Sequence, residues 1–403
     1  MSYESGGAMS EVYSRLPKAE IDHRIAQLKD NLLGAELDGA ILMTTTELYY
    51  YSGVGTGGIV YVPVEGSPIR LVERNMELVE SYSLIPEIRP MGRISQLFQT
   101  LNVPSGSKIV MEADVIPYSL MSYLQSRADE IQLSDGSDMF RKIRSKKSSF
   151  EIGLIEAAAR LVDQSFEFCT EIATPEMTEI ELSMKLDAWM VENGHAGFIT
   201  TRSFNSEMLI YSYVVSSSGS TLNTFFTPVS GVGLSLKYPL GPTRQKLGRN
   251  RPFLVDTCGN MKGYHSDTTR TFICGEFDNN LSAKLDSLSQ VKSFLLKEMK
   301  PGVSLGDLYG DVIELSIELG IQDQFMGVCK DKVAFLGHGV GLELDELPIF
   351  YSKGPHLEQG NVLACEPKII TPGHEVLGIE DTYVITSSGN KSLSNAQNRF
   401  EIE

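Results

Sequence analysis

Asp256, Asp267, His338, Glu366 and Glu380 follow one another along the chain, each inside a segment that reads as a strand or a turn. Four carboxylates and an imidazole brought together could not all stay ionised unaided, because like charges a few ångströms apart raise one another's pKa values. Two divalent metal ions would neutralise them, and a hydroxide held between two metals is a hydrolytic nucleophile at neutral pH. The stretch FLVDTCGNMKGYHSDTTRTF places Asp256 and Asp267 on two strands joined by a turn at Gly259-Asn260-Met261-Lys262-Gly263. Partners on adjacent strands have Cβ atoms about 4.5–5.5 Å apart, so both acids could serve one ion. An Asp near a turn is most often a turn residue, but carboxylates inside apolar strands need partners, since an unpaired buried charge is costly. In FLGHGVGLELDELP, His338 stands between Gly337 and Gly339, where the missing side chains would let metal or substrate approach the backbone. In NVLACEPKI and GIEDTYVIT, Glu366 and Glu380 fall on neighbouring strands, and alternation turns Cys365 away from Glu366.

The elements around these residues are legible as a coarse outline. Ile21, Ile25, Leu28 and Leu32 recur at helical spacing and the helix ends near Gly34. Short strands at Ala40–Met43, Gly58–Pro63 and Ile69–Val72 then alternate with helical segments to about residue 140, an α/β pattern. Phe150–Ala173 reads as a long helix, and Thr178-x-x-Glu181 is a capping box opening a helix with Trp189. Residues 213–252 are rich in Ser, Gly and Pro and read as loops and short strands near a site. Phe253–Cys258 and Tyr264–Cys274 read as strands, Leu305–Leu319 as a helix stopped by Gly320, and Asn361–Ile370 with Gly378–Thr386 as a strand pair around Thr371-Pro372-Gly373. The basic run Arg141-Lys142-Ile143-Arg144-Ser145-Lys146-Lys147 reads as a solvated linker. The division expected is a disordered tail over 1–15, an N-terminal α/β domain over 16–145 and a catalytic domain over 146–403.

Composition narrows the function. With 403 residues, two domains are the natural prior, and 42% hydrophobic with 22% charged residues is a soluble globular profile. No apolar run approaches a membrane span, and the start MSYESGGAMS lacks the regions of a signal peptide. A formal charge of −17 argues against nucleic acid, since phosphate binding needs a basic face. Five scattered cysteines without CxxC spacing read as buried thiols in a reducing cytoplasm.

On VDTCGNMKGYHSDTTRTF, GHGVGLELDELP and CEPKI with GIEDTYV, the chain resembles the creatinase, prolidase and methionine-aminopeptidase family, and is closest to its Xaa-Pro peptidases. The resemblance implies an α+β protein: a C-terminal pita-bread catalytic domain and a smaller N-terminal α/β domain of the creatinase, ribonuclease-H-like type. It implies that Asp256, Asp267 and Glu380 bind one metal ion, and that Asp267, His338, Glu366 and Glu380 bind another. Glu366 would also shuttle the proton of a metal-bridging hydroxide. Mn, Co, Fe and Zn all suit this oxygen-rich shell with one imidazole, with manganese favoured. The resemblance further implies a cytoplasmic homodimer acting on short peptides, with N-terminal domains walling the active sites.

Three departures stand out. The family's second histidine, in its His-Glu pair, is Asp345 here; a further substrate-facing histidine falls at Tyr238 or Pro239; and an arginine before the last glutamate is Gly378. Asp345, held protonated, could donate in place of histidine, or His265 could approach the site from the strand face of Asp267. Alternatively, the substrate is a non-peptide amide, amidine or other small metabolite. A binding protein that has lost catalysis ranks last, because all five ligands are present.

Overall fold

The computed structural model describes residues 15–202, 211–217, 227–328, 332–371 and 374–403. Residues 1–14 of the expected 1–15 tail, Cys329 and the Pro372-Gly373 turn lie outside the described residues. Two compact units divide the chain between Ile143 and Arg144. Among the described residues, no helix is long and apolar enough to cross a membrane.

The first unit is an α/β structure. Helix α1 (Lys18–Gly34) buries Ile21, Leu28 and Leu32 along one stripe. Strand β1 (Gly39–Leu42) leads to α2 (Thr45–Ser52), which Thr44 caps by accepting the Glu47 N–H. Next come β2 (Gly58–Pro63), β3 (Ile69–Val72), α3 (Met76–Tyr82), β4 (Glu87–Pro90), α4 (Leu97–Thr100), β5 (Lys108–Met111), α5 (Tyr118–Gln125) and β6 (Gln132–Asp135). The strands form one mixed sheet in the order β4-β3-β2-β1-β5-β6. Helix α6 (Ser137–Ser145) crosses the division between the units.

In the second unit, α7 (Ser149–Ile172) and α8 (Glu179–Glu192) each open on a complete capping box, Ser148 with Glu151 and Thr178 with Glu181. Strands β7 (Ser212–Ser216), β8 (Pro252–Met261) and β9 (Tyr264–Cys274) follow. Helix α9 (Asn279–Glu298) is capped by Asp278, and α10 (Leu305–Glu318) by Ser304. The remaining strands are β10 (Phe335–Gly339), β11 (Glu346–Tyr351), β12 (Val362–Cys365), β13 (Lys368–Thr371), β14 (Glu375–Gly378), β15 (Asp381–Ile385), β16 (Asn390–Ser392) and β17 (Arg399–Ile402). They make a sheet β17-β9-β8-β7, an antiparallel sheet β11-β10-β12-β15-β16, and a separate pair β13-β14. Leu161, Val162, Phe166 and Leu186 of α7 and α8 pack on Phe253, Val255 and Phe272 of the first sheet. Leu288, Val291 and Val312 of α9 and α10 pack on Leu336, Leu363 and Cys365 of the second.

Two expectations change. Strands β8 and β9 stay paired to Met261↔Tyr264 and turn on Lys262-Gly263 alone, both at positive φ (+55° and +92°), the geometry of a tight two-residue hairpin. The register therefore sets Asp256 against Thr269 and Asp267 against Cys258. The two aspartates share a face but sit diagonally, roughly 7–8 Å apart by strand geometry, rather than directly opposite. The basic run is not a solvated linker throughout. Arg144 and Lys147 are buried, with Arg144 paired to Glu343 and Glu346, and Lys147 to Glu346 at 2.9 Å. Lys142 and Lys146 remain on the surface.

Candidate metal centre

Alternation within the two sheets explains why the ligands meet. On β8, Phe253 and Val255 face α7 and α8, so Leu254 and Asp256 face the other way, where Leu254 packs with Ile370 and Val376. On β12, Leu363 and Cys365 join the core under α9 and α10, which turns Ala364 inward. His338 is the register partner of Ala364 and shares its face, as does Thr382 of β15. The Thr382 hydroxyl accepts the Asp267 N–H at 3.0 Å and donates to the Asp267 carbonyl at 2.9 Å, which ties β9 to β15.

Glu366 and Glu380 occupy a deliberate interruption of the strands. Cys365 pairs with Asp381, so the two glutamates follow at the next position across β12 and β15. Pro367 has no N–H to continue a ladder, and the expected single strand pair becomes β12-β15 and β13-β14. The Glu366 N–H donates to Leu336 O and the Glu380 N–H to Thr269 O, each at 3.0 Å. His338 Nε2 lies 3.8 Å from Asp267 Oδ2 and 3.9 Å from Glu366 Oε1. The sheet itself requires the glycines beside His338. A Cβ at 337 would stand 2.0 Å from Ala364 O, and one at 339 would stand 2.2 Å from Leu347 O.

The residue that strand reading missed is Lys368. Its ammonium reaches Asp256 Oδ2 at 3.0 Å, Glu366 Oε2 at 2.9 Å and Glu380 Oε2 at 3.2 Å, and its side chain is 1% exposed. Burial favours loss of that charge, yet Asp256, Glu366 and Glu380 outweigh it and hold the ammonium well above the ordinary lysine range. Gly378 is the register partner of Lys368, and a Cβ there would lie 3.0 Å from Lys368 Cγ. The position without the family's arginine thus leaves room for a lysine from the facing strand.

A divalent ion fits the donors that remain. Asp267, His338 and Glu380 each present one ligand atom, all within 4.8 Å of one another, and could hold one divalent ion between them. The carboxylates are still short of positive charge. Burial, then Glu380 and Asp256, push the Asp267 carboxyl well above its ordinary range despite Lys368. Burial similarly raises Glu380 to about 7, against the opposing pull of Lys368. The Thr269 hydroxyl donates to Glu380 Oε2 at 2.6 Å and orients it.

Of the residues expected to replace the missing histidines, neither adds a free group to this cluster. Both His265 ring nitrogens are committed, Nδ1 to Gly341 O at 2.9 Å and Nε2 to the Thr200 N–H at 3.2 Å and Asn260 Nδ2 at 3.1 Å. Burial lowers its pKa to about 4, so it stays neutral and fastens loops. Asp345 Oδ1 accepts the Arg202 N–H at 3.0 Å, and Arg202 in turn pairs with Glu343 at 3.1 Å. Asp345 Oδ1 thereby anchors the segment at Arg202. At the other altered position, Tyr238 hydrogen-bonds Tyr213, the register partner of Asp256 on β7, and burial raises the Tyr213 hydroxyl. The described cysteines are buried free thiols, and Cys365 packs on Met299 away from Glu366.

With the geometry in place, the chain belongs to metallopeptidase family M24, whose family model matches residues 153–387, and the creatinase/prolidase N-terminal domain model matches residues 24–146. This is the α+β architecture of a creatinase-type N-terminal domain and a pita-bread domain, and the family is one that uses divalent metal ions. A Xaa-Pro dipeptidase of Pyrococcus horikoshii is 24% identical over 365 residues, 90% of this chain and 93% of its own. The crystal structure of the prolidase from Pyrococcus horikoshii OT3 superposes with a TM-score of 0.77 at 22% identity, covering 93% of this chain and 99% of that one. A zinc-substituted E. coli aminopeptidase P in complex with product gives 0.73 at 16% identity, over 96% and 97% of the two chains.

Proposed function

We propose that the protein is a metal-dependent peptidase that cleaves short peptides, acting on Xaa-Pro bonds. The observation that carries this reading is the convergence of Asp256, Asp267, His338, Glu366 and Glu380 from two sheets onto one cluster. The Xaa-Pro dipeptidase and prolidase names of its relatives support the peptide reading over a non-peptide amide. Asp267, His338 and Glu380 would hold a divalent ion, with manganese favoured. When bound, the ion supplies Lewis acidity toward a carbonyl and a lowered water pKa.

The chain's own groups then divide the remaining work. Glu366 Oε2 is held by Lys368, while Oε1 faces His338, so Oε1 is the atom that takes a proton and delivers it to the leaving nitrogen. Thr269 orients the Glu380 carboxylate and Thr382 holds the Asp267 backbone, which limits reorganisation of the ligands during the reaction. We place the enzyme in the cytoplasm as a homodimer, which light scattering of the purified protein would check.

Glu366→Gln tests the mechanism, since it keeps the shape and removes the proton carrier. Turnover of Xaa-Pro dipeptides with supplied Mn²⁺ should fall by roughly 10²–10⁴-fold. Undiminished turnover refutes the role, and absence of wild-type cleavage across Xaa-Pro di- and tripeptides refutes the substrate class.

A further inference from the structure

We infer that the Lys368 ammonium is a resident cation that keeps one half of the cluster, so that the centre takes a single divalent ion at Asp267, His338 and Glu380. This rests on the metal-dependent reading above and limits it to one ion. An ammonium has three N–H donors and no acceptor, and here they meet three carboxylates delivered by three different segments. Asp256 comes from β8, Glu366 from just past β12, and Glu380 from just before β15, at 3.0, 2.9 and 3.2 Å. Asp256 and Glu366 accept hydrogen bonds from the ammonium and Glu380 forms an ion pair with it, and the side chain is buried, so the contacts are not those of a surface lysine resting on acids.

The fit is built into the chain. Lys368 starts β13 two residues beyond Glu366, and Gly378 faces it across the β13-β14 pair. Any Cβ at 378 would press on the lysine stem at 3.0 Å, on Thr269 Cγ2 at 3.2 Å and on Leu254 Cδ2 at 3.3 Å. The vacancy at 378 and the lysine at 368 therefore belong to one arrangement. A divalent ion seated between Asp256 and Glu380 would compete with the ammonium for these two carboxylates, whose Oδ2 and Oε2 atoms are already engaged. It would also stand beside the buried positive charge of Lys368. Among the described residues, Asp267 and His338 form no ion pair with a lysine, and together with Glu380 they are a trio whose ligand atoms come within 4.8 Å.

Two measurements independent of catalysis test this. The first is metal content of the full-length protein after equilibration with Mn²⁺ and gel filtration, together with the number of ¹¹³Cd resonances after Cd²⁺ substitution. Wild type should retain one ion per chain and show one resonance, while Lys368→Ala should retain two ions and show two. Two ions in wild type overturn the inference and leave the metal-dependent function standing, with Lys368 merely replacing the arginine absent at 378. One ion in both proteins overturns Lys368 as the excluding group. No ion in wild type overturns both readings. The second measurement does not depend on Lys368→Ala folding. Asp256→Asn should leave Mn²⁺ affinity within about threefold by calorimetry, because Asp256 serves the ammonium; a loss of tenfold or more makes Asp256 a metal ligand and overturns the inference.

Discussion

Arg270 offers the most demanding test of how the centre is held. Its side chain is fully buried on β9, and Nη2 donates to Asp381 Oδ1 at 2.5 Å. Nη1 donates to the carbonyls of Glu380 at 2.5 Å and Thr269 at 2.9 Å, and Nε to Gln397 O at 2.7 Å. Arg270→Met keeps much of the volume but leaves the buried Asp381 carboxylate with Lys292, at 2.7 Å, as its remaining ion-pair partner. Breaking a buried pair on one side costs about 3–5 kcal/mol, mostly the penalty of the charge left behind. With a urea m-value of about 3 kcal/mol/M, a loss of about 4 kcal/mol lowers the unfolding midpoint by about 1.3 M. The single tryptophan, Trp189, lies in α8 of the same unit, so its fluorescence follows the relevant transition. Adding Asp381→Asn removes the stranded charge and should recover roughly half of the loss, a coupling that independent sites would not show. Because Arg270 also grips the Glu380 carbonyl, metal affinity should fall roughly 10–100-fold. A midpoint shift under about 0.3 M in Arg270→Met refutes the reasoning, since the carboxylate would then not depend on the guanidinium.

Two further outcomes follow from other parts of the unit. Gly337→Ala forces a methyl group against Ala364 O, separates β10 from β12 beside His338, and should cost about 3 kcal/mol or more. Gly310→Ala, within α10 and with nothing inside 4 Å, should instead gain about 0.5–1 kcal/mol; equal urea midpoints for the two variants would refute the packing argument. Burial lowers the His195 pKa to about 4 from 6.5, so the folded state keeps the ring neutral while the unfolded chain takes up a proton below pH 6.5. Stability from this group is complete above pH 6.5 and is lost as pH falls to 4, by about 3 kcal/mol in all. His195→Gln should flatten that window, and parallel wild-type and variant stability profiles from pH 7 to 4 would refute it.

What could be read from the residues alone, and what could not, follows a physical rule. Helices with caps and stripes were legible: the Thr178-Glu181 box opens α8 as expected, and the 305–319 periodicity is α10. Helix α9 went unread although Leu281, Leu285, Leu288, Val291 and Leu295 recur at helical spacing behind an Asp278 cap. Composition alone did not reveal that Arg144 and Lys147 lie buried, because their partners, Glu343 and Glu346, are remote in sequence. The ligand residues were legible one by one, since each is a polar group inside an apolar run. Their register was not, because a shorter turn moves every cross-strand partner and sets Asp256 and Asp267 on a diagonal.

Lys368 shows both sides of that rule. A lysine two residues past Glu366 in the apolar run VLACEPKIIT carries the same warning as the carboxylates: a charge in such a place needs partners. Alternation alone would have put it on the Glu366 face. What no local rule supplies is the facing Gly378, which converts a lysine with acidic neighbours into one whose ammonium meets three carboxylates at once. The centre is therefore defined as much by the side chain absent at 378 as by those present. Gly378, a departure from the family pattern, and Lys368, inside a stretch that matches it, act together.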